Sequence, residues 1–136
     1  MRYLLTFLFL ILFSCAKEEP YSVLGEWNLD RLESKEDYLL PGLTFTTDTV
    51  FDDVVFFFDS LNIFTIVEGT VQPVEIIGWM YSNNYIHSYT FTDTSIFIRN
   101  IEWKVINKSV DELIIENKTE YGIVGEQLRT LYFTRK

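Results

Sequence analysis

Residues 25–33 read Gly-Glu-Trp-Asn-Leu-Asp-Arg-Leu-Glu, and in this stretch Trp27 and Leu29 alternate with polar residues. In an extended strand, successive side chains point to opposite faces. This alternation therefore makes one face apolar and leaves the other exposed to solvent. Strands of this kind are typical of antiparallel sheets with one buried face. The stretch therefore predicts the first strand of a sheet whose core lies on the side of Trp27.

The same signal recurs along the chain, in short apolar runs separated by Asn, Asp, Ser and Gly and without helical periodicity between them. The predicted strands are Gly25–Glu33, Val54–Asp59, Ile63–Glu68, Val74–Tyr81, Tyr85–Phe91, Ser95–Ile106, Leu113–Glu116 and Gln127–Arg135. Eight consecutive strands with short connections favour an antiparallel up-and-down meander. Closing the meander removes its two bare edges, so we predict an all-β fold with an eight-stranded barrel.

Composition indicates one globular domain with an acidic surface. The 136 residues include 20 Asp and Glu against 11 Lys and Arg, a formal net charge of −9, which disfavours binding to nucleic acid. Aromatic residues make up 17% of the chain, which is typical of a packed core. The single cysteine excludes an internal disulfide and a zinc site built on several thiolates.

The N-terminus has the pattern of an export signal. Arg2 precedes an almost unbroken apolar run at Leu4–Phe13, which is too short to span a bilayer as a helix but suits the core of a signal peptide. The run ends in Leu-Phe-Ser-Cys at residues 12–15, which resembles the lipobox of bacterial lipoproteins. The resemblance implies that residues 1–14 are cleaved and that Cys15 carries a covalent lipid anchor. The alternative is a buried free cysteine behind a leader that is cut elsewhere.

The charged residues behind this cysteine indicate where the protein resides. Lys17, Glu18 and Glu19 resemble the surface-export signal of Bacteroidetes lipoproteins, which implies a surface-exposed lipoprotein of the outer membrane. The alternative is an ordinary charged tether. In either case residues 15–21 are predicted to be a flexible lipidated tether, followed by one folded domain at residues 22–136.

The Gly-Glu-Trp at residues 25–27 resembles the Gly-x-Trp that begins the first strand of lipocalins. The domain as a whole resembles the lipocalin-like domains of Bacteroidetes lipoproteins. The matching motifs are Gly78-Trp79-Met80-Tyr81, Trp103-Lys104-Val105, Asp111-Glu112-Leu113-Ile114-Ile115 and Leu131-Tyr132-Phe133-Thr134-Arg135. The resemblance implies that Trp27 closes the barrel floor with Arg135 over its ring, a structural cation–π contact. The alternative is that Arg135 is a frayed terminal charge. The long acidic segment 34–53 departs from the family pattern.

A barrel of eight strands is either filled by side chains or holds one small ligand. The predicted pocket-lining residues are Phe56, Phe58, Trp79 and Trp103. Residues 54–58 are apolar on both faces, so the outward Val55 and Phe57 should meet either a partner chain or the segment 34–53 folded over the barrel. In the last strand, Arg129 shares the face of Leu131 and Phe133.

No pattern of catalytic residues is present. His87 is the only histidine, and no nucleophile or orienting residue is spaced to work with it. Asp48, Asp52 and Asp53 could offer oxygens to calcium, but they lack the spacing and glycine of a calcium loop, which favours a solvated acidic loop. We expect no enzyme, no metal and no cofactor beyond the lipid on Cys15.

The sequence therefore predicts a lipid-anchored protein of the cell envelope that binds a small apolar or amphipathic molecule, or a protein partner, without catalysis. The alternative is a structural or accessory surface lipoprotein with a filled barrel and no ligand.

Overall fold

The computed structural model describes residues 21–39, 42–52, 54–67, 84–98, 100–121 and 125–136. These residues form nine β-strands, and none of them lies in a helix. The strands are β1 (Gly25–Tyr38), β2 (Thr44–Val50), β3 (Val54–Phe58), β4 (Asn62–Val67), β5 (Asn84–Phe91), β6 (Ser95–Ile98), β7 (Ile101–Lys108), β8 (Glu112–Glu120) and β9 (Gly125–Arg135). Over the described ranges, no helix has the length and apolar character needed to cross a membrane.

Eight of the strands form a closed antiparallel barrel. Strands β3 to β9 are paired in chain order, β3 also pairs with β1, and β1 pairs with β9 to close the circle. The closing pair is long, because it runs from Trp27 opposite Arg135 to Tyr38 opposite Gly125. The predicted all-β fold and its eight-stranded antiparallel barrel are confirmed.

The ninth strand, β2, is an addition to the barrel. It pairs with residues 31–37 of β1, whereas β3 pairs with residues 25–28 on the same edge of that strand. Strands β8 and β9 also stay paired as far as Glu120 opposite Glu126. The adjoining strands β2, β1, β9 and β8 therefore form a four-stranded wall at the end of the barrel opposite Trp27. We call this part the upper wall.

Two predicted strand boundaries are corrected. The run 95–106 is not one strand, because β6 and β7 form a hairpin in which Ile98 lies opposite Ile101. Asn100 in the turn has a φ of 67°, a left-handed conformation that asparagine tolerates better than most residues. The predicted strand 113–116 covers only part of the first half of β8, which continues to Glu120. The predicted strand 74–81 lies outside the described residues.

The acidic segment 34–53 was one of the two predicted coverings of the outer face of 54–58. Its described residues complete β1 and form β2, so they lie within the sheet and do not form a layer over the outer face of β3. Among the outward residues of β3, Val55 is buried and Phe57 is 36% exposed.

The core fills the barrel from the end marked by Trp27. Its members are the inward residues of alternating positions on the barrel strands, and Phe56 packs edge-on against Phe133 with ring centroids 5.1 Å apart. The largest side chains that are almost completely buried are Trp27, Trp103, Phe56, Phe58, Phe133, Leu29, Ile63, Ile96, Ile98, Leu113 and Ile115. Burying one large apolar side chain contributes about 1.5–3 kcal/mol, so this cluster is the main source of stability.

Candidate functional site

The lower end of the barrel is closed by Trp27 and Arg135. The guanidinium carbon of Arg135 lies 4.0 Å from the centroid of the Trp27 ring, and the indole N–H of Trp27 donates to the carbonyl of Val23 at 2.8 Å. Arg135 also donates to the carbonyls of Leu24 and Ser22, at 2.6 and 2.9 Å. The structure thus brings together the two residues that the resemblance pairs, and this floor is a structural feature.

Three of the four predicted pocket residues lie in the packed core. Phe56, Phe58 and Trp103 are each 1% exposed, and the Phe56 and Phe58 rings stack with centroids 6.4 Å apart. Phe58 also packs edge-on against Tyr89 at 5.3 Å. Trp79 lies outside the described residues. The clefts described below are lined by other residues.

Above the core, the inner face of β9 becomes polar. Along β9 the inward residues change from Phe133 and Leu131 to Arg129 and Gln127. Strand pairing places Ser34 opposite Arg129 on one side, and Asn117 opposite Arg129 on the other. The upper wall therefore presents polar side chains where the lower barrel presents aliphatic and aromatic ones.

A hydrogen-bond network organises the inner face of this wall. Gln127, only 7% exposed, donates from Nε2 to Glu36 Oε1 at 2.6 Å and to Ser34 Oγ at 3.3 Å. Its own Oε1 accepts the Tyr121 hydroxyl at 2.7 Å. The Tyr38 hydroxyl donates to the other oxygen of Glu36 at 2.9 Å, and this hydrogen bond to the carboxylate raises the pKa of Tyr38. The buried amide is thereby satisfied, and the two tyrosine rings are held in place.

A cleft of about 250 Å³ opens beside this network. It is lined by Glu36, Asp37, Tyr38, Tyr121, Gly125, Glu126 and Gln127. A neighbouring cleft of about 330 Å³ shares four of these residues and adds Leu39 and Glu120. Gly125 is required here, because its φ is +139° and a Cβ atom would lie 2.0 Å from the Asp37 carbonyl oxygen. Together the two clefts are lined mainly by two tyrosines and several carboxylates.

Among the described residues, two nitrogen donors on the inner face have no partner. Trp103 Nε1 is buried and has no hydrogen-bond acceptor among the described residues. The Arg129 guanidinium makes no ion pair or hydrogen bond within the part of the chain that the structure describes. Between them, the Asn117 amide donates to the Glu102 carbonyl at 2.8 Å and accepts the Thr119 hydroxyl at 2.9 Å.

The other candidate residues are not brought together. His87 lies in β5 opposite Ile63 of β4, and Asp48 in β2 forms an ion pair with Arg31 at 3.6 Å. Asp52 is exposed. Across the described ranges, no group of three or more His, Cys, Asp or Glu residues could hold a metal ion. The candidate residues Cys15, Lys17, Glu18, Glu19 and Asp53 lie outside those ranges, as Trp79 does.

The fold and the polar upper wall define a class of protein: a small closed antiparallel β-barrel of the lipocalin-like kind, with one added strand. Comparisons of the chain with protein-family models, with curated proteins and with solved structures found no match.

Most of the residues at this end are not among the predicted site residues. These residues include Tyr38, Tyr121 and Gln127, which lie at or beyond the ends of the predicted strands. There the sequence lacks the alternation of apolar and polar residues that predicts a strand. Arg129 carried a signal, because a charged residue in phase with Leu131 and Phe133 breaks an otherwise apolar face.

Proposed function

We propose that this protein is a lipid-anchored component of the cell envelope that binds a small amphipathic molecule at the upper end of its barrel, without catalysis. The observation that carries the proposal is the change from an apolar to a polar inner face. Ligand sites in proteins typically combine an apolar lining with a few placed polar groups. The upper wall offers this combination, with the core beneath it and two tyrosines beside its cleft.

The contacts at the two ends support access from above. At the lower end, Trp27 and Arg135 are joined to residues 22–24 by hydrogen bonds, so the entering chain closes the floor. At the upper end, Tyr38 and Tyr121 are 39% and 48% exposed. Tyr38 also packs edge-on against Phe45 of β2, with centroids 5.7 Å apart. Rings with one polar end suit a ligand that has both apolar and polar parts.

The proposed anchor fits this orientation. Cys15 precedes Tyr21 by six residues, and six extended residues span about 20 Å at most. A barrel attached through Cys15 would therefore have its closed floor near the bilayer and its upper wall directed away from it. Surface display through Lys17, Glu18 and Glu19 would leave the cleft open to the medium. Replacing Cys15 with alanine is expected to abolish incorporation of a labelled fatty acid.

Native mass spectrometry of the protein purified from its own envelope tests the ligand proposal. We expect a fraction of the protein to carry one small molecule that is released on unfolding. The double variant Tyr38→Ala/Tyr121→Ala should lose this adduct, whereas Tyr132→Ala, which removes a tyrosine from the outer face of β9, should keep it. A wild-type protein that carries no adduct and takes none up from an envelope extract would contradict the proposal.

One observation favours the alternative role of an accessory surface protein. The edge of β2 that faces away from β1 has no partner strand among the described residues, and its Phe45 and Val50 are 55% and 71% exposed. Exposed strand edges are used by partner proteins that add a strand. A photo-crosslinker at the exposed Thr47 tests this role, because recovery of one defined envelope protein would support it, and a crosslinking pattern unchanged by a second substitution, Thr46→Pro, would oppose it.

A further inference from the structure

Arg129 is an inward-facing cation without a counter-ion in the described structure. It lies on the same face of β9 as Leu131, which is fully buried, and Gln127, which is 7% exposed. The nearest inward carboxylate along the β1–β9 pair is Glu36, and that group accepts hydrogen bonds from Gln127 and Tyr38. A partly buried guanidinium is unfavourable unless it is paired, so the position of Arg129 indicates an anion that binds there.

Trp103 provides a second, independent indication. Its side chain is 1% exposed, and its Nε1 has no acceptor among the described residues. The indole of Trp27 is equally buried, but its Nε1 donates to the Val23 carbonyl at 2.8 Å. Buried donors are normally satisfied, and an exception calls for a missing acceptor. A group that enters the barrel can supply the acceptor that the described residues lack.

The strand register places these two donors near each other. Lys104 lies opposite Glu116, so the next position along the same ladder sets Trp103 beside Asn117. Asn117 in turn lies opposite Arg129. Adjacent strands are about 4.8 Å apart, which separates the Cα atoms of Trp103 and Arg129 by about 10 Å. Both side chains are long and lie on the inner face, so one small group between them can contact both.

We propose that Arg129 and the indole N–H of Trp103 form a binding site for an oxyanion, the carboxylate or phosphate head of an amphipathic ligand. The proposal rests on the proposed function. Both residues can only donate hydrogen bonds, so their common partner must be an acceptor. A guanidinium binds planar or tetrahedral oxyanions through two parallel hydrogen bonds. The apolar part of the ligand would extend toward Tyr38, Tyr121 and the exposed end of the upper wall.

Titration with a matched series of octyl compounds tests the site. The probes are octanoate, octyl phosphate, octanol and octylamine, added to the mature chain carrying Cys15→Ser, which changes no described residue. We expect octanoate or octyl phosphate to bind at least tenfold more tightly than octanol, and octylamine not to bind. Comparing the two anions distinguishes a carboxylate ligand from a phosphate ligand.

The indole N–H resonances report on the site directly. We expect the Trp103 resonance, assigned from its absence in Trp103→Phe, to shift downfield as the anion binds. The Trp27 resonance is the internal control and should stay in place, because its hydrogen bond to Val23 is already formed.

Variants separate the site from general charge effects. Arg129→Gln is expected to weaken binding of the anionic probe at least tenfold while leaving octanol binding unchanged. Lys104→Gln removes the same charge from an exposed position on β7 and should have little effect. Trp103→Phe, which keeps an aromatic ring but removes the donor, should weaken anion binding by a smaller factor.

The outcomes distinguish this inference from the proposed function. Equal binding of octanoate and octanol, with no effect of Arg129→Gln, would overturn the oxyanion site and leave a binding protein for neutral amphipathic molecules. Recovery of a native ligand without an acidic group would also overturn the oxyanion site. If none of the four probes binds and the native protein carries no adduct, both the oxyanion site and the proposed function are overturned.

Discussion

Arg135 joins three parts of the chain at the barrel floor. It covers the Trp27 ring and donates hydrogen bonds to the carbonyls of Ser22, Leu24 and Val110. We predict that Arg135→Ala lowers the free energy of unfolding by about 2 kcal/mol, from the cation–π contact and the lost charged donors. Urea denaturation measures the loss. Arg135→Lys is the matched control, and it should lose less because the charge over the ring remains.

The floor also contains an alkaline-sensitive group. Tyr21 packs against Phe91 with ring centroids 5.8 Å apart, and burial raises the pKa of Tyr21 to about 12, although the charge of Arg135 acts in the opposite direction. Its unfolded pKa is about 10. Because the folded protein holds this proton more tightly, the stabilisation is complete below pH 10 and is lost as the pH rises from about 10 to about 12.

We therefore predict that the wild-type protein loses stability between pH 10 and 12, at no more than about 1.4 kcal/mol per pH unit from this residue. Tyr21→Phe should reduce the slope, because no phenol remains to ionise. Urea denaturation of both proteins at pH 9 and at pH 11 measures the difference. Identical slopes in the two proteins would show that Tyr21 is not buried as described.

At the scale of elements, hydrophobic periodicity was sufficient for most of the barrel strands and insufficient for β2. Strand β2 reads Thr-Phe-Thr-Thr-Asp-Thr-Val, and its residues are largely exposed. An edge strand with both faces exposed to solvent has no alternation of apolar and polar residues. Its pairing with β1 therefore identifies it only in the structure. The β6–β7 turn was missed for a different reason, because Ile98 and Ile101 flank it with no glycine or proline between them.

The candidate site could be predicted only in part, because it depends on the register between strands. Trp103 and Arg129 were recognisable as inward residues from their apolar neighbours in sequence. Their proximity depends on the register between β7, β8 and β9, which the sequence leaves open. The β7–β8 ladder shifts register between Val105 and Asn107, so counting alternate residues alone would misplace one strand against the other.

Gly125, the first residue of β9, lines both clefts. We predict that Gly125→Ala lowers the free energy of unfolding by at least about 2 kcal/mol, because a left-handed conformation is strained and the new Cβ would meet the Asp37 carbonyl oxygen. Gly42→Ala is the control, since Gly42 has a φ of +86° but no atom within 4 Å of a Cβ. Urea denaturation should show the larger loss for Gly125→Ala, and equal losses would contradict the close approach at this position.

At the scale of the whole molecule, the floor and the upper wall both depend on the pairing of the first and last strands. That pairing sets Trp27 against Arg135, Ser34 against Arg129 and Glu36 against Gln127. The floor, the row of inward polar residues and the buried network are thus three levels of a single ladder. An open sheet of the same strands would separate all three pairs at once.

A disulfide across the β1–β9 ladder tests this closure most directly. In a chain carrying Cys15→Ser, the pair Lys35→Cys/Leu128→Cys joins positions that lie opposite each other. Opposite Cα atoms are about 4.5–5.5 Å apart, within the range that a disulfide can bridge. The pair Lys35→Cys/Tyr132→Cys is displaced by four residues along β9, about 13 Å. We predict that mild oxidation links the first pair in nearly all molecules and does not link the second. Failure of the first pair to form a disulfide, or equal linking of both pairs, would contradict the closed barrel.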